Sequence, residues 1–149
     1  MYVFPLEKVL EYRKRKEEEQ QLLLNKAHRE KDEAEENLVK LQGDLSRTQE
    51  EALAQQRKRI DVQRALLAGE YSMHLSTQIK EQIKTVDHMD SRLREQVRLT
   101  EKAMQERKVM DTLREKGHWR YQQEMRQKEQ EQNDEMARFM HLYHVKPSK

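Results

Sequence analysis

The stretch from Leu24 to Ala52, LNKAHREKDEAEENLVKLQGDLSRTQEEA, decides the fold. Steps of three and four residues from Leu24 land on Ala27, Lys31, Ala34, Leu38, Leu41, Leu45, Thr48 and Ala52. Seven of those nine positions are apolar, which is the core seam of a coiled coil. A second seam runs through Ile79, Ile83, Val86, Asp90, Leu93, Val97, Thr100 and Met104, with six of eight apolar. Almost nothing between interrupts a helix. The two prolines are Pro5 and Pro147, and the three glycines are Gly43, Gly69 and Gly117. Proline costs a helix interior about 3 kcal/mol and glycine about 1 kcal/mol, so nearly the whole chain can be helical.

Composition fits that reading. Charged residues make up 39% of the chain and the hydrophobic set 34%, too thin for an ordinary globular core. Disorder would suit such a composition, but it has no reason to keep a heptad. Thirty Lys and Arg balance twenty-eight Asp and Glu for a net charge of +2, with both signs interleaved, so the net basic stripe needed to neutralise phosphates is missing. No nucleic acid is therefore expected as a partner. The absence of cysteine fits a reducing compartment. No apolar run exceeds four residues (Met1 to Phe4, Ala65 to Ala68), and the triplet Leu22 to Leu24 is shorter still, so all are far too short to span a bilayer. The protein is expected to be soluble and cytoplasmic.

The two seams are out of phase with each other. A turn between two helices accounts for that slip, and the glycine at position 69 marks its expected place. Pairing Leu45 with Leu93, Leu41 with Val97, Ala34 with Met104 and Ala52 with Val86 also centres a reversal on Gly69. The expected architecture is all-α, a long antiparallel two-helix coiled-coil hairpin over residues 1–149. Its first helix covers about 5–66, its turn about 67–72 and its second helix about 73–144. Gly43 is read as a tolerated helix residue and Gly117 as a bend. Each arm should reach about 90–110 Å at 1.5 Å per residue, and the chain should fray at Pro147.

Catalytic and cofactor motifs are missing from the sequence. It has no glycine-rich phosphate loop, no Gly-x-Ser-x-Gly turn and no HExxH. His141 and His144 are three apart but lack the further ligands a metal site needs. No enzyme activity, metal or cofactor is expected, and function should lie in the ends and exposed faces. Methionines along the second arm are read first as filler of a thin core. The seam is poor from Arg13 to Gln20 and again from Glu124 to Glu135, so packing near the termini should be loose.

The opening FPLEKVLEYRKRKEEEQ, Phe4 to Gln20, resembles that of the FliJ family of flagellar export proteins: an aromatic residue, an apolar start, then basic and acidic clusters. The other end is similar too, through Leu113 to Lys116 (LREK), Tyr121, Lys128 to Gln130, Asn133, Asp134, Glu135, Met136, Phe139 and Met140. The resemblance implies an antiparallel coiled coil of the flagellar type III secretion apparatus. Such a protein would be stalk-like, bind the hexameric export ATPase in its pore, and couple it to the membrane export gate. Export chaperones are implied as further partners. The protein would sit at the inner face of the cell membrane, peripheral to it only through partners. Together with the seam gaps, this assigns ATPase binding to Phe4, Leu6, Val9, Leu10, Met136 and Phe139. Gate binding is assigned to a hinge-end face of Tyr71, Leu75 and Ile79. The alternatives are a generic coiled-coil scaffold and an export chaperone for secreted subunits.

Overall fold

The computed structural model describes residues 1–144, and the expected fraying at Pro147 lies outside them. Two α-helices follow one another, α1 over Glu7–Lys58 and α2 over Val62–His144. Arg59, Ile60 and Asp61 join them. No described residue lies in a strand. Pro5 and Leu6 form the turn that starts α1, where the Glu7 N–H donates to the Phe4 carbonyl at 3.2 Å. That is where a proline belongs, since its missing N–H would have no helical partner.

The reversal is therefore centred on Ile60 and not on Gly69, and the expected turn at 67–72 lies inside α2. Side-chain chemistry places it. Asp61 caps α2, its Oδ1 accepting the Gln63 N–H at 3.1 Å and the Arg64 N–H at 3.5 Å, which satisfies donors with no helical partner. Arg57 and Lys58 close α1 with positive charge against its negative dipole end. Gly69, by contrast, has no positive φ, and a methyl added there would meet nothing within 4 Å. Gly69→Ala should thus stabilise the protein by about 1 kcal/mol through helix propensity. That raises Tm by about 2–4 °C in a chain of this size. A fall in Tm on thermal denaturation would put a turn conformation back at 69.

The chain divides into two compact units. Unit 2 spans Glu17–Lys102 and contains the reversal. Its helices are antiparallel: Gln20 meets Gln96 and Thr100, Lys31 meets Asp90, and Ala34 meets Gln82. These contacts replace the expected pairing of Leu41 with Val97 and Leu45 with Leu93. All nine positions of the Leu24–Ala52 seam are at least partly buried. In the second seam seven of the eight positions, all but Ile83, are also at least partly buried. Ile79, Val86, Leu93 and Thr100 face inward, but Ile83 is 43% exposed. Gln82, Met89 and Gln96 take the alternating inward places. Glutamine serves in the core because its amide finds carbonyls across the interface. Gln82 Nε2 donates to the Ala34 carbonyl at 2.9 Å, and Gln96 Nε2 to Gln20 Oε1 at 2.7 Å.

Unit 1 combines Met1–Lys16 with α2 from Ala103 onward. Again the helices are antiparallel, with Glu7 near Arg114 and Arg13 against Glu106. Its core is small: Phe4, fully buried Leu10 and Met110, with Tyr2 packed on them. Gly117 does not interrupt the helix. It lies within α2, and a methyl there would overlap the Tyr2 phenol oxygen. The glycine is a notch for an aromatic ring that reaches it from the other end of the sequence.

Candidate partner-binding surfaces

The terminal surface begins with that ring. Tyr2 stacks edge-on to His118 at 5.5 Å between ring centroids and tilts against Tyr121 at 5.7 Å. Phe4 follows it down into the core and Leu10 seals it. Of the apolar residues expected to meet the ATPase, Phe4 (9% exposed) and Leu10 (0%) are thus structural. Leu6 and Val9 remain about two-fifths exposed. Arg13 is half-engaged already, its guanidinium donating to Glu106 Oε2 at 2.6 Å. The stretch from Arg13 to Gln20 is better held than its polar sequence implies, because ion pairs and amides take the place of aliphatic knobs.

The other strand of this surface is α2 from Glu124 to His144, where every residue is exposed. Met136, Phe139, Met140 and Tyr143 recur at steps of three, one and three, one helical face. The Phe139 and Tyr143 rings touch at 4.7 Å. Met136 and Phe139 are therefore available as expected, and Met140 and Tyr143 extend the stripe. Exposed apolar faces of this kind mark interaction sites.

The expected gate-binding face does not stand free. Leu75 is 2% exposed and Ile79 is partly buried, so both belong to the core of unit 2. Only Tyr71, at 50%, presents itself to solvent. A turn at 67–72 would have left Leu75 beside the reversal, but with the reversal at Ile60 α1 runs alongside it. What the sequence reading passed over is the true tip. From Leu53 to Leu67 every residue is exposed.

Electrostatics within unit 2 fixes alignment more than it prepares chemistry. Lys31 Nζ lies 3.0 Å from Asp90, which Arg94 also meets at 2.6 Å. Hydrogen bonding from Lys31 holds the Asp90 carboxyl below the usual carboxylate range, and the same bond raises Lys31 above its ordinary value. Among the described residues no three His, Asp or Glu side chains converge as a metal site would require, His141 and His144 included. None of the helices among these residues is long and apolar enough to cross a membrane.

The family model for the flagellar FliJ protein matches residues 1–146, nearly the full chain. The chain belongs to the FliJ family. It is accordingly a component of a type III protein export apparatus. None of the curated proteins compared matches it. Among solved structures, the chain is similar to a Chlamydia trachomatis protein, CT670, described as a YscO homolog. That match has a TM-score of 0.49 and 20% identity, over 99% of this chain and 100% of that one. Within the FliJ family, the two helices and short connection described above are the parts on which any binding role of this chain must be built.

Proposed function

We propose that this FliJ-family chain is a non-catalytic, cytoplasmic coiled-coil component that binds the flagellar export ATPase through its terminal surface. Its hinge end would meet the membrane export gate, with Tyr71 as the residue of the expected face still open to a partner. The observation that carries the reading is the fully exposed end of α2, with its stripe of Met136, Phe139, Met140 and Tyr143. Leu6, in the turn before α1, and Val9 on α1 add apolar surface. Buried aromatic and methionine anchors dominate such contacts, while charges near the rim set orientation and rate.

The test is ATPase turnover and pull-down with intact protein, with Phe139→Ala combined with Met140→Ala, and with Leu6→Ala combined with Val9→Ala. These side chains are exposed, so helicity should hold. The α2 pair should weaken ATPase binding by at least about tenfold, the magnitude of one interface anchor. The α1 pair should weaken it less. Full binding by both variants would refute terminal docking. For the gate, Tyr71→Ala should lower retention on immobilised gate protein, and unchanged retention would remove Tyr71 from that contact.

A further inference from the structure

We infer that the hairpin tip binds an anionic lipid surface directly. Between Ala52 and Gly69 the chain carries four bases, Arg57, Lys58, Arg59 and Arg64, against a single acid, Asp61. The whole chain has a net charge of +2; the tip alone has +3, so everything outside it is slightly acidic. The positive excess of the protein is thus concentrated at its reversal. Arg64 is tied to Asp61 at 3.6 Å. Arg57, Lys58 and Arg59 make no ion pair among the described residues and point their charge outward.

The same fifteen or so residues leave five large aliphatic side chains in water: Leu53 at 60%, Ile60 at 76%, Val62 at 65%, Leu66 at 63% and Leu67 at 65%. The helices do not close on one another here. An open groove of about 600 Å³ separates them, bordered by the small side chains of Ala52, Ala65 and Ala68. Aliphatic groups interleaved with bases at a helix reversal suit an interface between headgroups and acyl chains. Bases attract the anionic surface and the aliphatic residues enter the acyl boundary. Nucleic acid is the poorer fit, because the segment has no aromatic side chain on which a base could stack. A second copy of the tip would bring like charges together. The contact is independent of the export gate and of the ATPase, and it brings the protein to the bilayer without an intermediary.

Vesicle co-sedimentation of the full chain tests this with no other protein present. Phosphatidylcholine vesicles containing about one-third phosphatidylglycerol should retain the protein at low salt. Purely neutral vesicles should not, and salt well above physiological strength should release it. Arg57→Gln, Lys58→Gln and Arg59→Gln together should lower partitioning by about a hundredfold, at about fivefold for each base lost near a charged surface. Ile60→Ser with Val62→Ser should lower it by about tenfold, since two aliphatic groups no longer enter the interface. Asp61 is kept in both variants, so α2 stays capped, and far-UV circular dichroism should match the parent. Equal retention on neutral and anionic vesicles would overturn the inference, as would unchanged partitioning of either variant. No retention of the parent on anionic vesicles at low salt would also overturn it, and would assign the tip to an acidic protein face instead.

Discussion

Oxidising a Gln20→Cys, Thr100→Cys double variant is expected to close an intramolecular disulfide in nearly all molecules. The Thr100 hydroxyl reaches the Gln20 backbone carbonyl at 3.3 Å, so the two backbones run close enough for sulfur to bridge them. The native chain has no cysteine, and the product is unambiguous by mass and by mobility on a non-reducing gel. The bond closes a loop of about eighty residues, for which chain entropy implies about 4 kcal/mol of stabilisation. Lost hydrogen bonds of Gln20 and Thr100 offset part of that, leaving about 2–3 kcal/mol and a Tm higher by about 4–10 °C. A Leu41→Cys, Val97→Cys pair should fail to close within one chain, because Lys31 already faces Asp90. The opposite pattern would return the reversal to Gly69.

Leu10→Ala should be the most damaging single truncation, costing about 2–4 kcal/mol. Among the described residues Leu10 is the one large side chain wholly removed from solvent, and with Phe4 and Met110 it forms the only buried apolar cluster of unit 1. A core this small has nothing in reserve to collapse into the gap. Hydrogen exchange should then quicken at residues 7–16 and 103–117 while the amides of Glu17–Lys102 keep most of their protection. Leu6→Ala, one turn earlier and 43% exposed, serves as the control and should cost less than about 1 kcal/mol. If Leu6→Ala and Leu10→Ala cost the same, Leu10 belongs to a partner surface after all.

The first helix was legible because its apolar residues sit where a heptad wants them, and every seam position from Leu24 to Ala52 turned inward. In α2 the same rule chose Ile83 over its neighbour Gln82. Hydrophobicity alone cannot see that a glutamine will find a carbonyl across the interface. The phase change between the seams is most simply explained by a reversal between Ala52 and Ile79, as found, but it is indifferent to the place. Gly69 draws the eye as a helix breaker, whereas Asp61, a capping carboxylate followed by Val62, is the more direct mark of a helix start. At the surfaces the limit was different. Phe4, Leu6, Val9 and Leu10 are alike in one dimension, and only the approach of Met110 separates the two that pack from the two that remain exposed. The fit of Tyr2 over Gly117 joins residues more than a hundred positions apart, beyond any local pattern.

The amides and ions that run through unit 2 also give it a mechanical character. An all-leucine seam of two helices can creep by one repeat, about 10 Å, and regain much the same contacts. Here such a slip would tear Gln96 from Gln20, Gln82 from the Ala34 carbonyl and Asp90 from Lys31 in a single event. It would leave several part-buried polar groups without their partners at once. Shear along the helices therefore meets a steep barrier, and a push or twist applied to one helix is handed to the other as displacement instead of being lost in sliding.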